Sequence, residues 1–258
     1  MAIEEIFANP TVQQVIFQIK FPNLFFMENK IGEFQVKIME KFPQSALLFR
    51  RQLVFANVGS GIRIENPPED NNKELQLKIW QFMSPDNVEL NVTTDSLDIG
   101  SKHHKTYNLG TGDKFRDIIE YVVGRFLDVT QIPNIMRIGL RYIDICPIPG
   151  KNNDAFLSYY NSAFPLNRFP IENATEMHYM TVVRRDAYSL RYIESFPAEP
   201  GKESLTLDFD GFAENIPSSQ YLEHTDRLHD LISDEYEASI KEALRKLMRR
   251  PKGANDGQ

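Results

Sequence analysis

Asp208 and Asp210 stand two residues apart in Leu205-Thr206-Leu207-Asp208-Phe209-Asp210, a spacing that on a strand turns both carboxylates to one face. Two such groups could hold a divalent cation and support a metal-dependent hydrolase or nuclease. With 36 Asp and Glu among 258 residues, about five acid-x-acid pairs arise by chance, so a solvated face opposite Leu205, Leu207 and Phe209 explains the pair more simply. The arginines are the more informative polar set. Arg137 and Arg141 point the same way from one strand, with Gly139 between them as an open notch. A two-residue turn at Asp186-Ala187 pairs Arg184 with Ser189 and Val182 with Arg191, so Arg184, Arg191 and His178 share a face. If the two faces met, four guanidinium groups could grip a phosphate or carboxylate through forked hydrogen bonds; otherwise they pair with the surplus acids.

Other chemistry is thinner. His224 and His229 share a helix, but a five-residue step separates them by roughly 140° around its axis, too far to ligate one ion as an i,i+4 pair does, which leaves surface or packing roles. Cys146 follows Met136, Ile138, Leu140 and Tyr142 in strand alternation and reads as a buried small hydrophobe, not a nucleophile. No serine sits in a Gly-x-Ser-x-Gly turn. Gly59-Ser60-Gly61 and Gly110-Thr111-Gly112 lack the lysine and spacing of a phosphate-binding loop, and the second reads as a capping turn. No cofactor is implied.

These residues need elements to position them. Alternation in Val15, Phe17, Ile19 and Phe21 predicts a strand, and Ile31, Phe34, Ile38 and Phe42 predict a helix ending before Pro43. The glycines, prolines, acids and asparagines of 57–72 predict an exposed loop. A hairpin turning at Ser84-Pro85-Asp86-Asn87 puts Leu77, Ile79, Met83, Val88, Leu90 and Val92 on its core face. Trp80 and Phe82 then lie opposite, either under a helix or as a partner-binding patch. A strand near 96–107 leads to a helix carrying Phe115, Ile118, Ile119, Val122, Phe126 and Leu127. The second half predicts a strand over 135–146, a helix over 154–164, a hairpin of 177–185 with 188–196, a strand over 204–210 and one helix over 219–248. Lys241, Arg245, Lys246, Arg249, Arg250 and Lys252 crowd its end, where cations suit the helix dipole; Arg245, Arg249 and Arg250 are candidates for a partner contact.

Both halves therefore read strand, helix, three strands, helix. The expected fold is α+β: antiparallel sheets covered by helices, a duplicated β-α-β-β-β-α unit with a long C-terminal helix. The expected lobes are 1–130 and 131–250, followed by a disordered tail at 251–258. An apolar fraction of 41% is that of a packed globule, and the lone cysteine fits a reducing cytoplasm. No membrane span is predicted. The net charge of −7 disfavours a general nucleic-acid coat.

Asn9-Pro10-Thr11-Val12, Val15-Ile16-Phe17-Gln18-Ile19-Lys20-Phe21-Pro22, Arg137-Ile138-Gly139-Leu140-Arg141-Tyr142-Ile143-Asp144, Leu207-Asp208-Phe209-Asp210 and Tyr236-Glu237-Ala238-Ser239-Ile240 carry a likeness that spans nearly the whole chain. The chain resembles a sporadically distributed, functionally uncharacterised bacterial family of about this length, its strongest motif being the Arg-Ile-Gly-Leu-Arg-Tyr strand. That resemblance brings no catalytic residues. By analogy with horizontally moved genes it implies anti-phage defence or a mobile-element cassette. The leading expectation is a non-enzymatic binding protein, a sensor or adaptor that recognises a protein partner such as a co-encoded effector. The alternatives are the metal-dependent hydrolase or nuclease using Asp208 and Asp210, and an anion or nucleic-acid module using Arg137, Arg141, Arg184 and Arg191.

Overall fold

The computed structural model describes residues 5–51, 54–58, 61–65, 76–197 and 203–250, with the backbone alone for those from 50 to 76. The first half runs β1 (Val12–Lys20), α1 (Met27–Ile38), β2 (Gln44–Arg51), β3 (Val54–Val58), β4 (Gly61–Glu65), β5 (Gln76–Met83), β6 (Glu89–Val92), β7 (Ser96–Ser101) and α2 (Phe115–Thr130). The second half runs β8 (Asn134–Pro147), α3 (Asn153–Tyr159), β9 (Met177–Arg185), β10 (Tyr188–Phe196), β11 (Ser204–Pro217), α4 (Tyr221–Ser239) and α5 (Glu242–Arg249).

Nine strands form one antiparallel sheet in the order β2-β5-β6-β7-β1-β8-β11-β10-β9, while β3 and β4 form a separate hairpin. The fold is α+β. Counted outward from the β1–β8 seam, the first half lays down β1, β7, β6, β5 and β2, and the second β8, β11, β10 and β9, so each half sets its first strand beside its last. Each half opens with a strand and a helix and ends with a three-strand meander and a helix, but the first half adds β2 and the β3–β4 hairpin after α1; the two halves join edge to edge through β1 and β8.

The helices cover one face of this sheet. Residues directly opposite in a ladder share a face, so Val15, Phe17 and Ile19 of β1 lie with Leu97 and Ile99 of β7 and with Ile138, Leu140 and Tyr142 of β8, nearly all fully buried. Phe34 of α1 meets Phe126 of α2 and Phe82 of β5 edge to face, which closes the first copy. In the second copy α4 packs on β11 at Gly211, where a Cβ would lie 3.2 Å from Ile232 and 3.4 Å from Leu228. Glycine here lets the helix approach closely. Asp226 of α4 ties the two helix layers together, accepting a forked bond from Arg116 of α2 (2.8 and 2.9 Å) and the Tyr107 hydroxyl (2.7 Å). No helix of the described chain is long and apolar enough to cross a membrane.

Four expectations are corrected. The β5–β6 hairpin pairs Met83 with Glu89, Phe82 with Leu90 and Trp80 with Val92. Its turn spans five residues, with Ser84 N–H donating to the Val88 carbonyl and Asn87 at φ 56°, and that one-residue difference exchanges the faces. Trp80 and Phe82 therefore lie on the helix side, Phe82 buried and Trp80 packed against the core, and form no exposed patch. Within the predicted loop 57–72, residues 61–65 form β4 and 57–58 end β3. The closing helix is two helices: at Ile240 and Lys241 the backbone is extended, Ile240 bridges to Tyr160, and Lys241 N–H donates to the Tyr159 carbonyl. Docking of α3 breaks the helix there, helped by Ser239, whose hydroxyl bonds back to the Glu235 carbonyl. Met136 is 52% exposed, because Ile135 takes the buried place at that end of β8. The tail 251–258 lies outside the described residues.

Candidate functional site

The uncovered face of the sheet carries the arginines and aspartates. The β8–β11–β10–β9 ladder puts Arg141, Asp210, Arg191 and Val182 in one cross-strand row, and Gly139, Phe212, Ser189 and Arg184 in the next. The predicted register of the β9–β10 hairpin is the one observed, so Arg184, Arg191 and His178 do share a face, and Arg137 and Arg141 share it with them. Three of the arginines meet the two aspartates. Arg141 grips Asp208 through Nε at 2.8 Å and Nη2 at 2.6 Å. Arg137 Nη2 reaches both Asp210 oxygens (3.1 and 3.2 Å), and Arg191 Nη2 takes Asp210 from the other side at 2.7 Å. The charge-assisted bonds to Asp208 hold the Arg141 guanidinium more firmly protonated than usual. Arg184 stands apart, its Nε donating to the Asp186 carbonyl at 3.2 Å.

The chain of bonds continues past the seam. Arg137 Nη1 donates to Gln18 (3.1 Å) and Gln18 donates to Asp98 (2.5 Å), whose carboxyl burial shifts upward. Polar groups from five strands, β7, β1, β8, β11 and β10, are thereby linked in one network. Gly139 makes this possible in a way its predicted role as a notch does not capture. An added Cβ would lie 2.7 Å from Arg137 Nη1, so the Arg137 guanidinium itself lies across the glycine. Among the strand residues whose side chains are described, Lys20, Arg137, Arg141, Arg184 and Arg191 face Glu89, Asp98, Asp208, Asp210 and Glu214 across the same surface, five charges of each sign. Asp208 is held by a guanidinium fork and Asp210 by one nitrogen from each of two guanidinium groups, and no group of three or more potential metal ligands occurs among the described residues.

The remaining candidates are at the chain ends. Arg249 forks Glu5 at 2.7 and 2.8 Å and also bonds Glu242, and Arg245 donates to the Glu237 carbonyl. The Arg250 carbonyl accepts from the Asn9 side chain, and Asn9 N–H donates to the Met248 carbonyl. These contacts latch the N-terminal segment to α5.

Beneath that segment, on the helix side, lies a pocket of about 90 Å³ that the sequence reading missed. Its walls come from residues 5–7 and 10–12, the 105–109 loop, β8, β11, α4 and Met248 of α5. Asp144 of β8 is 1% exposed and accepts the Thr11 hydroxyl at 2.7 Å; Thr11 in turn stands 2.7 Å from the Tyr236 hydroxyl. Burial raises the Asp144 carboxyl to about 7, the Thr11 hydrogen bond pulling the other way. His229 stacks on Tyr107 with ring centres 4.4 Å apart, and burial lowers its imidazole to about 4. Of the surface and packing roles that the sequence leaves to His229, the structure gives it packing, as part of the wall of this pocket. Cys146, two residues beyond Asp144 on the same face, is buried and its thiol is pushed up by that burial, as a core hydrophobe requires. The signal available in the sequence was one of phase: Asp144 occupies a buried position in the Tyr142-x-Asp144-x-Cys146 alternation, where a carboxyl is out of place.

A scan against protein-family models finds none that matches this chain, and a search of the curated proteins finds no match either.

Proposed function

We propose that the chain is a non-enzymatic protein-recognition module that takes an extended segment of its partner along the free edge of β9. One observation carries the reading. β9 ends the sheet, with β10 its sole neighbour among the described strands, and it exposes Tyr179, Met180, Val182 and Val183 at 36 to 58%. Edge strands usually blunt themselves with charge, proline or a bulge. β9 confines its charge to Arg184 and Arg185 at one end and keeps an unbroken register with β10, and an edge that is apolar over Tyr179–Val183 favours strand addition, in which main-chain bonds supply affinity and alternate side chains supply selectivity. The expected partner is a co-encoded effector, and the role that of a sensor or adaptor in a defence or mobile-element cassette, in keeping with the family resemblance. A location in the cytoplasm belongs to the same proposal.

The metal-dependent hydrolase reading has less support because Asp208 and Asp210 are both held by arginines. The anion or nucleic-acid reading has less because Arg137, Arg141 and Arg191 are already engaged by Asp208 and Asp210. A photo-crosslinker placed at Val182 in the native host tests the proposal. A single protein captured there, which then binds the purified chain and is released by Val182→Lys, supports it. Turnover of nucleotide, nucleic acid or peptide that disappears in Asp208→Ala/Asp210→Ala overturns it.

A further inference from the structure

The pocket beneath the N-terminal segment combines three features that serve no purpose in the protein-recognition role. First, a carboxyl group sits in a mostly apolar enclosure, against the usual rule that a buried charge is paired or coordinates a cation. Lys105 donates to the Val12 carbonyl at 2.8 Å and pulls the Asp144 carboxyl downward through space, against the larger effect of burial. Second, the walls are aromatic: Phe7, Tyr107, Tyr142, Phe209 and Tyr236 line the pocket, and the faces of such rings attract cations. Third, the polar groups beside Asp144 are loosely held. His229 Nδ1 lies 3.5 Å from the Tyr142 hydroxyl and its Nε2 3.5 Å from the Ser233 hydroxyl, at the outer limit of a hydrogen bond although Tyr142 is buried. Neutral imidazole, phenol and hydroxyl oxygens can all accept, so a donor reaching between them and Asp144 would find partners on every side.

We infer that this pocket binds a small organic ammonium ion, with its charge on Asp144 and its apolar body against the aromatic walls. The volume of about 90 Å³ is of the size to enclose a compact amine and too small to enclose a whole nucleotide. An anion would meet a carboxyl where it needs a donor. A neutral hydrocarbon would fill the pocket and leave Asp144 and Tyr142 without a closer partner.

The test uses the full chain at pH 8 and a graded series of amines, ethylamine, isobutylamine and benzylamine, against isobutanol, benzyl alcohol and benzoate as charge-altered isosteres. Binding is read by calorimetric titration and by the rise in unfolding temperature. At least one amine should bind ten-fold or more tightly than its alcohol, and benzoate should not bind. Asp144→Asn should lose the amine preference while binding the alcohols as before, with circular dichroism verifying that the variant is folded. Equal affinity for amine and alcohol, an amine preference that survives Asp144→Asn, or no amine binding up to 10 mM would each overturn the assignment. None of these outcomes alters the β9 proposal, which the Val182 crosslink reads independently.

Discussion

Replacing Asp144 with asparagine leaves an oxygen to accept the Thr11 hydroxyl but removes the ionisation, so it isolates what a charge costs at this position. In the fold the carboxyl is raised from 3.8 to about 7, and at 1.36 kcal/mol per pH unit its ionised form costs ~4 kcal/mol above pH 7. A carboxyl with a raised folded value keeps its proton in the native state after the unfolded chain has lost it. Stability therefore falls as pH climbs from about 4 to 7. His229 acts in the opposite sense: lowered from 6.5 to about 4, it stays neutral in the fold while the unfolded chain binds a proton, so stability rises with pH over about 4 to 6.5. Its amplitude is at most ~3 kcal/mol, because the ring is mostly but not wholly buried. The two slopes nearly cancel in the wild type below pH 6.5, and each single variant unmasks the other. Asp144→Asn should match the wild type near pH 4 and exceed it by up to ~4 kcal/mol at pH 8. His229→Gln should lose up to ~4 kcal/mol between pH 4 and 7 relative to its own acid value. Urea unfolding at half-unit pH steps measures both, and subtracting the wild-type curve removes the titration of all shared groups. An Asp144→Asn increment that is the same at pH 5 and pH 8 would refute the reasoning.

Gly139→Ala forces the Arg137 guanidinium off the glycine, from an overlap at 2.7 Å, and so breaks its bonds to Asp210 and Gln18; a loss of about 1–3 kcal/mol in urea unfolding is expected. Gly211→Val pushes Ile232 and Leu228 away from β11 and should lower stability by about 1–3 kcal/mol, read as a lower thermal midpoint. Phe82→Ala should cost about 3–5 kcal/mol, the cost of a core aromatic, where an exposed position would cost almost nothing; chemical denaturation distinguishes the two.

How much was legible in the sequence varied from element to element, for local reasons. The β9–β10 hairpin was readable to the residue because a two-residue turn leaves its register no freedom, and the sharing of a face by Arg184 and Arg191 followed. The β5–β6 hairpin was misread because Ser84 to Val88 form a five-residue turn, and a single-residue slip in an alternating strand exchanges its faces. The apolar stripe of Leu228, Ile232, Tyr236, Ile240 and Leu244 continues across the α4–α5 break, so periodicity alone could not reveal that α3 interrupts the helix.

The order of elements from β8 to β11, the meander of β5 to β7 with α2 after it, the buried face of the β9–β10 hairpin, and the presence of arginines and aspartates in one phase were determined by the chain itself, since they rest on local propensity and periodicity, whereas β2, β3 and β4 were not legible there. Which arginine holds which aspartate, and that Arg137 lies across Gly139 to reach Asp210, was decided by strand order, which brings β8, β11 and β10 side by side. The pocket is a wholly tertiary product. Thr11 meets Asp144 across 133 residues and Tyr236 across 225, and no periodicity records contacts between groups so distant along the chain. Only the packing of α4 and the N-terminal segment onto β8 excludes the water that would otherwise keep Asp144 an ordinary carboxylate.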